Sequence, residues 1–191
     1  MGIVRNVVLL LLAALVPPGA SPAAQVPDFK VQIWGGAAAD FTARMSAYEA
    51  LRGKLEQGLP RLEVTANPLE ILRAENLLAE RIREARAGAR RGSIFSQPIR
   101  AAFKRALHSE VGPGKCEAIR DDNPGEFSYR INGTYPKSRP VSTMPPGMLA
   151  VLPELPADVY YRFLGRDLVL HDTRANVILD EIDDAITCPP R

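Results

Sequence analysis

The chain has 191 residues, 46% of them hydrophobic and 24% charged, with a formal net charge of +2 at pH 7. These are ordinary globular values, and they exclude a disordered, collagen-like or disulfide-dense protein. Two cysteines and two histidines exclude most zinc chemistry, and no apolar run approaches the roughly 20 residues that span a bilayer.

Residues 1–24 read as a secretory signal peptide. Arg5 precedes an uncharged apolar stretch from Val7 to Val16, and Ser21-Pro22-Ala23-Ala24 supplies a small-residue exit. The mature protein is expected to begin between Ser21 and Gln25 and to be periplasmic or secreted. Residues 25–191 then read as a single α+β domain, helical over about 38–108 and mixed or β over about 126–186. Cys116 and Cys188 both lie beyond the signal. An even cysteine count in an exported protein predicts a disulfide between them.

Residues 25–36 read as an extended lead-in; its Trp34, beside Gly35-Gly36, is a candidate sugar or peptide contact, though a lone tryptophan more often packs on the domain or frays with the terminus. From about Ala38, the positions Phe41, Met45, Tyr48, Leu51, Leu55 and Leu59 fall on one helical face. Asn67-Pro68-Leu69-Glu70 starts a second helix: Asn67 caps, Pro68 is preset at the first helical position, and Glu70 suits a capping box. Ile71, Ala74, Leu78, Ile82 and Ala85 form its face, and Gly88 or Gly92 ends it. The two helices are expected to pair as an antiparallel hairpin. A third helix is expected from Pro98 to His108, with Ile99, Phe103 and Leu107 one turn apart, followed by a loop over residues 109–125.

The period then changes. Phe127, Tyr129 and Ile131 alternate with polar neighbours, which predicts a strand over Glu126–Tyr135 that continues through Asn132-Gly133 instead of turning there. A short helix through Leu152 follows Thr143-Met144-Pro145-Pro146. Asp158–Phe163, Leu168–His171 and Val177–Glu181 read as an antiparallel meander. Phe163, Leu168, Leu170 and Ile178 are expected on its buried face, with Val169 opposite. The Leu51–Leu55–Leu59 stripe is expected to cover that face. The fold class is therefore α+β, an N-terminal helical hairpin with short helices packed on a small C-terminal antiparallel sheet.

The segments LPADVYYRFLGRDLVLHDTRANVILD, INGTYP with STMPPGMLAVLPELP, and ARAGARRGSIF resemble the signature segments of a family of uncharacterised exported bacterial proteins. The likeness covers roughly residues 40–182. It implies an envelope location and carries no activity, cofactor or catalytic residue. Gly147 departs from the pattern where a better helix former is usual. Cys116 and Cys188 lie outside it.

No residue set points to a cofactor or a metal. His108 with Glu110, and His171 with Asp172, pair a base with a carboxylate, but adjacent strand residues face opposite ways, so His171 and Asp172 do not form a dyad. They read as a surface histidine and a turn aspartate. Asp180, Glu181, Asp183 and Asp184 fit no calcium loop and read as a solvated charge run. The sharpest asymmetry is basic: Arg81, Arg83, Arg86, Arg90, Arg91, Arg100, Lys104 and Arg105 stand against Glu84 alone, whereas residues 117–191 carry twelve acidic and eight basic side chains.

The leading expectation is an exported, non-enzymatic envelope protein with a binding or structural role. An alternative is an anion-binding module using the Arg81–Arg105 region, whose partner is a lipid head group, a cell-wall polymer or an acidic protein. A hydrolase or metal-dependent enzyme ranks third. Nucleic acid is disfavoured by the export signal and by the scarcity of aromatics among the arginines.

Overall fold

Alternating apolar spacing in the C-terminal third and helical spacing before it produce two kinds of element. A computed structural model describes residues 34–59, 67–125 and 127–188. The expected signal segment, its expected cleavage region and the lead-in before Trp34 lie outside the described residues. Among the described residues five helices come first: α1 (Gly36–Gln57), α2 (Pro68–Ala85), α3 (Gln97–Glu110), α4 (Pro113–Asp122) and α5 (Pro146–Val151). Strands β1 (Val159–Leu164), β2 (Asp167–Asp172) and β3 (Val177–Ile182) follow, as an antiparallel sheet in the order β1-β2-β3. The fold is α+β, as its periodicity predicts.

α1 buries Phe41, Met45, Tyr48 and Arg52. The stripe thus turns polar at Arg52, and the Leu51–Leu55–Leu59 series is half-buried at the margin of the core instead of covering the sheet. α2 starts as expected: Asn67 Oδ1 accepts from the Leu69 N–H at 3.1 Å, and Asn67 Nδ2 donates to Glu70 at 3.2 Å. It ends at Ala85, before either glycine.

α1 and α2 run antiparallel, Arg86 lying over the Tyr48 ring and Arg81 donating to the Leu55 carbonyl. In that register the first half of α2 extends past the end of α1. Burial on α2 is correspondingly confined to Leu78, Ala79 and Ile82.

The expected loop at 109–125 contains α4. Gly112-Pro113 supplies a start signal, Ile119 is buried, and the Cys116–Cys188 disulfide anchors the helix, with a Cα–Cα distance of 5.7 Å.

One face of the sheet carries Tyr161, Phe163, Leu168 and Leu170 into the main core with Phe41, Phe95, Phe103 and Trp34. Phe103 is the hub of that core. Trp34, Phe41 and Phe95 meet its ring edge-on at 4.8, 5.0 and 5.0 Å. The other face buries Leu164, Val169 and Ile178 with Tyr135. Val169 is opposite Leu168 and Leu170 as alternation requires, but Ile178 is on Val169's side, not theirs. The register slips between Leu170, opposite Asp180, and His171, opposite Ile178, so Leu179 is an extra residue in β3. That bulge reverses the phase of everything before it.

Residues 127–135 form no strand beyond a bridge between Thr134 and Val177. Asn132 has φ 61° and the Gly133 N–H closes a turn on the Arg130 carbonyl at 2.8 Å. A Cβ on Gly133 would lie 2.7 Å from that same oxygen, so the turn requires glycine. Phe127, Tyr129 and Ile131 alternate because they pack as a strap on the second face, not because they pair as a strand.

Candidate functional site

Two aspartates with no exposed surface organise the polar interior. Asp172 ends β2. Its Oδ2 accepts from Tyr48 Oη at 2.5 Å and Arg52 Nη1 at 3.1 Å, and its Oδ1 accepts from the Arg174 and Ala175 N–H groups at 3.0 and 3.1 Å. Arg52 also donates to the Ala157 carbonyl at 2.8 Å. The carboxylate thus shapes the β2–β3 turn and ties it to α1. Burial, and then the charge of Asp172, push the Tyr48 hydroxyl well above the usual tyrosine range. Tyr48 therefore stays a neutral donor.

Asp180 is held by backbone instead. The N–H groups of Gly92, Ile94 and Phe95 donate to it at 3.0, 2.6 and 2.7 Å, and Glu181's own N–H at 2.8 Å. Converging backbone donors of this kind form an anion-binding concavity. Here the segment Gly92–Phe95 wraps an anion supplied by the chain itself. The sequence reading of Asp180 as part of a solvated run is thereby corrected, as it is for Glu181, which is buried against Arg91. Asp183 and Asp184 remain partly exposed and pair with arginines. Among the described residues, no group of three or more His, Cys, Asp or Glu side chains is placed to hold a metal ion.

The basic stretch is distributed, not gathered into a patch. Arg81 donates to Leu55 O, and Arg83 to Asn132 O at 3.0 Å and Thr134 Oγ1 at 2.5 Å. Arg86 donates to Asn132 Oδ1 and Leu179 O, both at 2.9 Å. Arg91 pairs with Glu181, and Arg91 and Arg100 each lie 3.9 Å from Asp183. Arg90 and Arg105 are exposed and Lys104 half-buried.

His171 is not a surface histidine: it is 4% exposed. Its ring stacks on Tyr135 at 4.8 Å, and its Nε2 meets Asn176 Oδ1 at 2.9 Å while Asn176 Nδ2 donates to Tyr135 O at 3.1 Å. Among the described residues its buried Nδ1 meets no hydrogen-bond partner. Burial, with Arg162 adding to it, lowers the imidazole below its ordinary range. His108 is exposed at the end of α3, with Glu110 half-buried against Lys115.

Sequence reasoning missed Tyr48, Arg52, Tyr135 and Asn176. Arg52 had a visible signal, a charged residue one turn after Tyr48 on an apolar stripe. Asn176, with φ 51°, had only its turn propensity.

Apolar side chains are also left on the surface. Leu69, Ile71, Leu72 and Leu77 of α2 are 61%, 47%, 39% and 43% exposed. Beside them a cleft of about 700 Å³ opens between α1 and α2, lined by Glu56, Leu59, Ile71, Ala74, Leu78 and Arg174 among others. Among the described residues no helix is long and apolar enough to cross a membrane. Comparison of the chain with protein families, with curated proteins and with solved structures finds no match.

Proposed function

We propose that the protein is an exported, disulfide-clamped domain of the bacterial envelope that acts by binding another protein, not by catalysis. The observation that carries this reading is the exposed apolar surface of α2. Leu69, Ile71 and Leu72 in its first half, and Leu77 at its middle, are large apolar side chains left 39–61% exposed, while Leu78, Ala79 and Ile82 are packed. Exposed apolar clusters rimmed by polar residues are a common property of protein-binding surfaces. The flanking charges are of both signs: Glu70, Arg73 and Glu80. That mixture suits a protein partner better than an anionic lipid surface, which favours a uniformly basic rim. The buried carboxylates support the same reading, because both already have their donors within the chain.

The anion-binding alternative is weaker on two counts. Five of the eight basic residues of the Arg81–Arg105 stretch donate to backbone or pair with Glu181 and Asp183. The backbone concavity beside them already holds Asp180.

A photoreactive phenylalanine analogue placed at Leu72 or Leu77 tests the proposal in intact cells, with Glu117 on α4 as the control site. A defined heterologous adduct from α2 and none from Glu117 is expected. The same pattern at all three sites, or no adduct at Leu72 and Leu77, overturns it. Arg90→Glu should leave the adduct unchanged; its loss would favour the anion-binding reading.

A further inference from the structure

β1 is an edge strand of the sheet, and a trough of about 520 Å³ opens along its outer side. Met144, Leu149, Leu152, Leu155, Tyr160 and Arg162 are among the residues that line it, and residues 159–162 of β1 form one wall. Leu149 and Tyr160 are 51% and 46% exposed on its rim. Its size is that of clefts that hold small ligands.

The Thr173 N–H donates to the Asp158 carbonyl at 2.8 Å, so the even-numbered residues of this strand turn their backbone groups toward β2 and the odd-numbered ones turn theirs outward. The outward Val159 N–H goes to the Pro156 carbonyl at 3.2 Å, and the Phe163 N–H to Ser142 Oγ at 2.8 Å. Between them, the Tyr161 N–H and C=O meet no partner among the described residues. The edge is thus closed at both ends and open over one residue. An open strand edge recruits an extended peptide.

Arg162 stands next to that gap with an unanswered charge. Its Nη1 donates to Ser142 O at 2.7 Å, its guanidinium lies 4.8 Å from the Tyr160 ring centroid, and its buried Nε meets no partner among the described residues. Burial lowers the guanidinium below the ordinary arginine range, and the groups that oppose burial are two tyrosines, Tyr135 and Tyr160. Arg52 and Arg86, enclosed elsewhere, differ: Arg52 pairs with Asp172, and Arg86 lies in the field of Asp180 and Asp172. Glu154, also in the lining, is exposed and lies beyond ion-pair distance of Arg162. An apolar trough with a partly desolvated guanidinium is complementary to an apolar ligand that carries a carboxylate.

We propose that this trough binds the C-terminal end of another protein as a short added strand. The closure at Phe163 selects a chain end, because backbone running on past Arg162 would meet Ser142. In a parallel pairing the Tyr161 N–H donates to a peptide carbonyl, and the Tyr161 C=O accepts from the N–H of the last residue, which sets the terminal carboxylate beside Arg162. Side chains alternate across the edge. The penultimate one falls on Tyr161's side, where Leu152 and Pro153 pack, and its neighbours fall on the side of Tyr160 and Arg162. The ligand is therefore an extended, apolar C-terminus. This surface is separate from α2 and does not rest on the partner proposed there.

The test uses the oxidised protein purified after export, with pools of acetylated pentapeptides whose last three positions are drawn from aliphatic and aromatic residues. The pool with free C-terminal carboxylates should shift the Tyr161 amide resonance and raise its protection from exchange at least fivefold. The same pool as C-terminal amides should bind at least tenfold more weakly. No change at Tyr161, or equal binding of acid and amide, overturns the proposal. So does tighter binding of an amidated pool whose carboxylate is an internal glutamate, or a set of shifts confined to α2. In Arg162→Gln the acid and amide pools should bind alike, while the Val169 amide, in the middle of the sheet, stays protected and reports that the variant is folded. A preference for the acid that survives in the folded variant also overturns it. If the variant does not fold, the comparison of acid and amide on the unaltered protein decides.

Discussion

The two faces of the same three-stranded sheet are covered by different means. One lies under helices and carries an aromatic core centred on Phe103. The other lies under a strap of irregular backbone, residues 127–135, and holds four fully buried apolar residues. A helix satisfies its own backbone, so its contribution to the core is side-chain burial alone. An irregular strap must place each N–H and C=O elsewhere. The second face accordingly needs Asn132, Asn176 and His171, where the first needs mainly hydrocarbon. The helix-covered side should lose most from lost volume, and the strap-covered side from lost polar chemistry.

The largest expected effect tests the first half of that statement. Phe103→Ala should cost about 3–5 kcal/mol in denaturant unfolding of the oxidised protein. The cavity would open where three other aromatic rings meet. A loss equal to that of an exposed control such as Lys54→Ala would show that the helices do not form the core described. Next, Cys116→Ser with Cys188→Ser should cost about 2–4 kcal/mol, because the bridge closes 72 residues of chain. It fastens α4 to the tail that carries the buried Ala185 and Ile186. If the reduced and oxidised proteins unfold at the same denaturant concentration, the clamp adds nothing to the helix-covered face.

The helices and meander were legible because their periods are repeated several times. Phe41, Met45 and Tyr48 mark a helical face, and Tyr161 and Phe163 a strand face, without reference to anything distant. The errors fall where a single residue changes the phase. Leu179 inserts into β3 and moves Ile178 to the opposite face. Asn132-Gly133 breaks an alternation that otherwise looks like a strand. The candidate site was less legible still. Asp180 looked solvated because its partners are backbone N–H groups more than 80 residues away, and backbone carries no sequence signature. The exposure of Leu69 and Leu72 depends on where α2 lies against α1, which neither helix specifies alone.

A smaller effect concerns the junction of the two sides, where Tyr48 holds Asp172 and Arg86 bridges the Tyr48 ring to Asn132 of the strap. Tyr48→Phe should cost about 1.5–3 kcal/mol, the range for a hydrogen bond to a charged group. Arg52 and two backbone N–H groups remain on the carboxylate, so the turn should persist. A crystal structure with the β2–β3 turn rebuilt would show instead that Tyr48 shapes it.

The smallest expected effect belongs to the strap-covered face and appears only as pH changes. Burial lowers His171 below its ordinary value, and Arg162 acts in the same direction; Asn176, Asp172 and Glu75 oppose them. The unfolded chain therefore takes up this proton more readily than the folded one. Stability is complete above about pH 6.5, the ordinary histidine value. It falls as the pH drops from there through the folded-state value, and then levels off. The loss should begin in the strap, because a protonated ring turns both nitrogens into donors and puts a charge against the Tyr135 ring of the strap. Nε2 still has Asn176 Oδ1, but Nδ1 has no acceptor. Protection factors across residues 127–135, which take out the pH dependence of intrinsic amide exchange, should therefore fall at pH 5 relative to pH 7.5, before those in α1 and α3 change. His171→Gln keeps a donor for Asn176 and removes the titration, so its strap should show the same protection factors at both pH values. If the wild-type strap is equally protected at the two pH values, or if the variant keeps the full pH dependence, the polar side of the sheet is held by something other than a neutral His171.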